Sequence, residues 1–194
     1  MSSPHATTLS PDTGPDTVRT SDAAADGAAV PAAAQPAYDA GLLVLRLALG
    51  LTMAAHGGQK LFGWFNGGGL DGTAAYFTSV GYPSGKTMAV IAGLSETLGG
   101  LGLALGLLTP LAGAVVFGTL LNVLAVKWGG FFAPQGVEYE LLLAVAAAAL
   151  ALTGPGRLAA DRALPVLRTH RLAYGAGALV LGAVVAGIVL LVRN

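Results

Sequence analysis

The chain has 194 residues, 54% of them hydrophobic and only 10% charged, with ten basic and ten acidic side chains and a mean hydropathy of +0.69. A soluble domain carries roughly 25% charged residues, so the deficit argues for residence in a lipid bilayer; zero net charge without a basic block argues against a nucleic-acid partner. The absence of cysteine excludes disulfides, thiol redox chemistry, cysteine zinc sites and cysteine-ligated iron–sulfur clusters.

Residues 1–38 are rich in Ala, Pro, Asp, Ser and Thr; Asp12, Asp16, Asp22 and Asp26, with Asp39 just beyond, lie near a single basic residue, Arg19. Such a segment buries too little apolar surface to offset its ordering entropy, and a disordered acidic tail is expected. It lacks the basic start and apolar run of a signal peptide.

The first span is expected from about Gly41 to Phe62, near the ~20 residues that cross a ~30 Å hydrocarbon core. After the glycine-rich break that follows it, the stretch from Gly72 to Val80 is too short to span and suits an interfacial helix. A second span covers roughly Thr87 to Leu108, and Thr109-Pro110 makes a tight turn into a third, Leu111 to about Lys127. The segment WGGFFAPQG separates it from a short fourth span, about Val137 to Leu152, which stops at GPGR. A basic loop, Arg157 to Arg171, leads to the last span, Leu172 to Val192. There Ala178, Gly182 and Ala186 recur at four-residue spacing, a face for close helix packing. The expected fold is all-α: a polytopic bundle of four membrane helices plus a fifth at the carboxyl end.

Arg157, Arg162, Arg168 and Arg171 fall on the side of the amino-terminal tail, which places the amino terminus in the cytoplasm and the carboxyl terminus outside. On the opposite side lie most aromatic residues, among them Phe62, Trp64, Phe65, Tyr76, Phe77, Tyr82, Trp128, Phe131, Phe132 and Tyr139. They read either as an interfacial belt or, in part, as the roof of a pocket for a flat apolar ligand.

Charges inside a span are costly, ~2.5–3.5 kcal/mol each near the bilayer centre, and pair with one another inside the bundle. At 100° per residue, Arg46, His56 and Lys60 fall within about 80° of one another on the first span. Glu96 in the second span and Asn122 in the third sit at comparable heights, ~18 and ~17 Å from the inner edge, with His56 at ~22 Å. Lys127, Glu138 and Glu140 lie above them. The expected site is therefore a polar intramembrane pocket of His56, Lys60, Glu96, Asn122 and Glu140 in the outer half of the bundle, with Arg46, Lys127 and Glu138 as secondary members. Glu96 is expected to face His56 or Lys60, with Gly93, Gly99 and Gly100 admitting a neighbouring helix. Arg46 is close enough to the inner edge to snorkel as an anchor. The same polar set also reads as an ion pair that only fixes helix register. No metal-ligand spacing, second histidine at haem-ligating depth, phosphate loop or dinucleotide motif accompanies it.

The motifs LRLALG (Leu45–Gly50), HGGQKLFG (His56–Gly63), VGYP (Val80–Pro83), LSETLGGLGLALGLLTP (Leu94–Pro110), EYELLL (Glu138–Leu143) and TGPGRLAAD (Thr153–Asp161) stand in this order. In them the chain resembles the DoxX family of small bacterial integral membrane proteins. The resemblance covers about residues 41–164 and implies a tail (1–38), a DoxX-like four-helix domain (39–164) and an additional helix (165–194). Members usually have four spans, so the fifth is a departure that moves the carboxyl terminus to the other side. The family name derives from a subunit of a thiosulfate:quinone oxidoreductase, and other relatives resemble components of oxidative-stress or thiol-homeostasis complexes. The resemblance thus implies a bacterial plasma-membrane subunit or accessory protein of a redox system, with quinone as candidate cofactor and a soluble oxidoreductase as partner. It carries Arg46, His56, Lys60, Glu96, Glu140 and Asp161 over as motif residues. The chain alone offers no self-contained redox centre, so it is at most an oxidoreductase subunit. The alternative is a non-enzymatic scaffold or a small-solute or proton permeation protein, and oligomerisation is compatible with either.

Overall fold

The computed structural model describes residues 34–164 and 170–193. The expected tail up to residue 33 and Arg168 of the basic loop lie outside the described residues.

The described residues form six α-helices and no strand: α1 (Gln35–Phe62), α2 (Gly69–Ser79), α3 (Gly85–Leu105), α4 (Thr109–Lys127), α5 (Glu138–Thr153) and α6 (Leu172–Leu191). Four of them, α1, α3, α4 and α6, are long and apolar enough to cross a membrane. The 16 residues of α5 make about 24 Å of helix at 1.5 Å per residue, short of a ~30 Å core. The helix is nevertheless apolar and packed among the others, so the architecture is a bundle of five long elements with the short α2 packed on α3 and α1. The helix α1 starts at Gln35, inside the stretch read as tail. Pro36 in its first turn has its φ pre-set for a helix and lacks an N–H that would be unpaired there anyway.

Two end-caps stop α3 and start α4 within three residues. Gly106 takes the left-handed conformation (φ 69°), and its N–H and that of Leu107 return to the carbonyls of Leu103 and Gly102. Leu108 is also left-handed (φ 49°), a conformation costly for a side chain with a Cβ, and Pro110 stands in the first turn of α4. The turn is held by contacts from outside it, described below.

The helices α1 and α3 approach through facing glycines. A Cβ added to Gly50 would lie 2.5 Å from the Gly100 carbonyl oxygen, and one on Gly100 would lie 2.5 Å from the Gly50 oxygen. That close approach brings Lys60 and Glu96 within reach of each other. The apolar core gathers Leu49 and Met53 of α1, Leu103 of α3, Val116, Leu120 and Leu124 of α4, and Ala147 and Leu150 of α5. The helix α6 packs outside this core, against α4 and α5, and lacks extended packing against α3.

Candidate functional site

The polar side chains separate into two groups at opposite ends of the bundle. At the end where α1 begins, Arg46 is 1% exposed. It does not snorkel: its guanidinium donates to the carbonyls of Leu103 (3.1 Å) and Ala104 (3.3 Å) at the end of α3, and to those of Leu158 (2.9 Å) and Pro155. Asp161, also buried, accepts from the N–H groups of Leu108 (2.8 Å) and Thr109 (3.2 Å). A carboxylate there satisfies donors that have no partner within α4 and faces the positive end of the helix dipole. The Asp161 N–H returns to the Gly106 oxygen at 3.0 Å. Asp39 accepts from the Arg157 N–H at 2.7 Å. The TGPGRLAAD segment therefore fastens the ends of α1, α3 and α4 together.

At the other end, Lys60 Nζ lies 2.7 Å from Glu96 Oε2, with the lysine side chain 26% exposed and the glutamate 3%. The pair is an ion contact between α1 and α3, and Glu96 Oε2 has no further donor beyond Lys60. Both residues line a cavity of about 390 Å³ between α2, α3, α4 and α6. Its walls are mainly apolar, including Met88 and Ile91 of α3, Val115 of α4 and Val185 of α6, with Thr73, Ser95, Thr119 and Asn122 as further polar groups. Tyr76, Phe77 and Tyr82 also line it, whereas Phe62, Trp64, Phe65, Trp128, Phe131 and Phe132 are exposed. Tyr76 belongs to both sets, lining the cavity while half exposed.

Asn122 joins three elements. Its Oδ1 accepts from the Tyr82 hydroxyl at 3.1 Å, and its Nδ2 donates to the carbonyls of Gly118 (3.1 Å) and Ala186 (3.4 Å). Nearby, Arg193 Nε donates to the Val80 oxygen at 2.7 Å, so the loop before α3 and the end of α6 are clasped. Burial raises the Tyr82 phenol above its ordinary range, against the opposing pull of the Arg193 charge.

The structure brings Lys60, Glu96 and Asn122 together on the cavity and leaves His56 and Glu140 off its walls. His56 Nδ1 meets Gln59 Oε1 at 3.0 Å and Nε2 meets the Tyr139 hydroxyl at 3.3 Å. It borders a separate shallow cleft with Thr52, Ala55, Gln59 and Phe65. Both ring nitrogens of His56 are thus occupied by side chains of this chain, Gln59 on one side and Tyr139 on the other. Glu140 pairs with Lys127 at 2.5 Å between α5 and α4. Glu138 accepts from the Phe132 N–H in the loop before α5. One polar layer in the sequence is therefore two ion pairs and a histidine pair in space. Tyr82 and Tyr139 were expected only as belt or pocket-roof aromatics and Gln59 not at all; a belt position conceals the hydrogen-bonding tip of a tyrosine.

The family model DoxX matches residues 41–128. The chain is 33% identical over 125 residues to "Putative oxidoreductase CatD" of Bacillus subtilis (strain 168), covering 64% of this chain and 87% of that protein. It is 32% identical over 129 residues to "Inner membrane protein YphA" of Escherichia coli (strain K12), covering 62% of this chain and 88% of that protein. No solved structure matches the chain.

Proposed function

The chain belongs to the DoxX family of membrane proteins, and from that premise we propose that it is an integral membrane component of a redox system, binding a quinone-class ligand in the cavity beside Lys60 and Glu96. The observation that carries this reading is the cavity itself: about 390 Å³, apolar along its length, with a buried ion pair on one wall. That volume is within the range of small-molecule sites, which combine apolar walls with a few fixed polar groups. The relative named as an oxidoreductase supports the redox assignment.

When bound, a quinone supplies reversible two-electron, two-proton chemistry at its ring oxygens. The residues of this chain have separate tasks around it. The Lys60 ammonium would be the group to hold a ring oxygen and to favour negative charge there. The Glu96 carboxylate, whose Oε2 has no donor beyond Lys60, holds or returns a proton beside Lys60. The apolar walls keep the Glu96 side of the pair away from water, which strengthens its interactions. In this reading the electrons are supplied by a soluble oxidoreductase partner, and the protein sits in the bacterial plasma membrane. The end bearing Arg157, Arg162 and Arg171 faces the cytoplasm, in keeping with the bias of basic residues toward that side.

The test is thermal protection of the purified protein by a short-tailed ubiquinone analogue, alongside extraction of lipid-soluble molecules that co-purify from native membrane. Protection of the wild type, lost in Glu96→Gln, is the expected result. An unprotected wild type, or equal protection of Glu96→Gln, overturns the reading. Proton flux in liposomes that depends on Glu96 and not on quinone would instead establish a permeation protein.

A further inference from the structure

The cavity is bounded by a helix that lies outside the residues matched by the family model. That match ends at residue 128, whereas α6 begins at Leu172. Ala178, Leu181, Gly182, Val185, Ala186 and Val189 of α6 line the cavity. They recur at three- and four-residue spacing and so form one stripe of the helix.

That stripe is held at close range from several points. A Cβ on Gly182 would lie 2.6 Å from the Ala114 oxygen, and one on Gly118 would lie 2.8 Å from the Gly182 oxygen. Asn122 donates to the Ala186 carbonyl in the same region, and Arg193 ties the end of α6 to the loop before α3. Hydrogen bonds across helices at this depth fix register. The position of α6 relative to α4 is therefore set by backbone contact, and its larger side chains, Leu181, Val185 and Val189, determine how much space is left over Ser95 and Ile91 of α3.

The helices α3 and α6 both pack on α4 and line the same cavity, without extended packing on each other. In a bilayer the gap between them faces hydrocarbon. A route through that gap avoids the polar clasp of Tyr82, Asn122 and Arg193.

We infer that α6 is the selecting wall of the cavity: a membrane-dissolved ligand enters sideways between α3 and α6, and Val185 limits the width of the group that reaches Lys60 and Glu96. The choice of ligand class rests on the quinone reading above; the sideways route does not.

Two measurements on the full-length protein in nanodiscs separate the two statements. In the first, affinities are compared for a short-tailed benzoquinone and a wider short-tailed naphthoquinone. Val185→Phe is expected to weaken the naphthoquinone at least tenfold more than the benzoquinone, while Val184→Phe, on the same helix but off the cavity, changes neither by more than about twofold. Equal effects on both ligands, or equal effects of the two substitutions, overturn Val185 as the width filter. In the second, the nanodiscs carry a diazirine-tagged fatty acid, and labelling of Met88 and Ile91 on α3 is read by mass spectrometry. Val185→Trp is expected to reduce that labelling at least fivefold relative to Val184→Trp. Unchanged labelling overturns the sideways route. Failure of both quinones to bind the wild type, together with the expected labelling pattern, removes the quinone reading and the width filter while leaving the sideways route in place.

Discussion

The two ends of the bundle use buried charge differently. Around Arg46, four backbone carbonyls receive hydrogen bonds from one guanidinium, and Asp161 is occupied by the N–H groups that start α4. Around Glu96, one carboxylate meets one ammonium beside a cavity, and its Oε2 has no donor beyond Lys60. The first network, satisfied apart from the Thr109 hydroxyl, rigidifies and, among the described residues, has no adjoining cavity to admit a ligand. An incompletely satisfied pair next to an apolar space retains interaction capacity that a ligand can use. Both ends look alike in the sequence, as ionisable residues in apolar spans; only their partners distinguish a fastening from a site.

Substitutions sharpen this contrast. The largest effect is expected for Arg46→Met, which leaves several buried carbonyls without donors, each at about 1–3 kcal/mol. Detergent-solubilised protein should lose at least about 3 kcal/mol of unfolding free energy on that basis, and folded yield should collapse. Survival of Arg46→Met with an unchanged unfolding midpoint would remove the distinction between the ends. Gly106→Ala comes next. Its Cβ would meet the Ala159 Cβ at 2.7 Å and the Arg46 Cζ at 2.8 Å, at a φ of 69°, so overpacking should cost about 1–3 kcal/mol in the same unfolding assay.

Glu96→Gln should behave in the opposite manner. Lys60 keeps access to solvent, with 26% of its side chain exposed, so the stability change should stay within about 1 kcal/mol, as for a partly exposed ion pair. Ligand protection should nevertheless disappear. A loss of stability as large as that of Arg46→Met would make the Glu96 end a second fastening.

The smallest effect concerns Tyr82. Burial raises its folded-state pKa above the unfolded value of 10.0, so the folded protein favours the neutral phenol. Its contribution to stability is complete below about pH 10 and is lost as the pH rises through the folded pKa. Alkaline loosening of the wild type should therefore exceed that of Tyr82→Phe when unfolding midpoints are compared across that range. Identical alkaline profiles would show that the clasp with Asn122 does not depend on this hydroxyl.

Much of this architecture was legible in the residues. Apolar runs of about 20 residues place the spans, because backbone groups in hydrocarbon must bond within a helix. Gly106 and Pro110 mark the turn between α3 and α4, since glycine adopts positive φ without penalty and proline suits a first turn. The pairing of Glu96 with Lys60 was one of two arrangements allowed by height alone. Less legible was the role of Arg46. Its position near a helix end permits both a snorkelling anchor and a buried fastening, and the decision lies with Leu158 and Pro155, more than a hundred residues further along the chain.

By itself, then, the sequence determined that this is an all-helical membrane protein, where its long helices run, and which ionisable side chains they carry into the bilayer. Those properties follow from local hydropathy and backbone geometry. Tertiary structure decided that His56 and Glu140 stand away from the cavity while Lys60, Glu96 and Asn122 share it, and that α6 supplies one of its walls. Height along a helix is a local quantity. The direction a side chain faces, and the helix it meets there, depend on packing contacts such as Gly50 on Gly100 and Gly182 on Ala114, which exist only once the bundle has assembled.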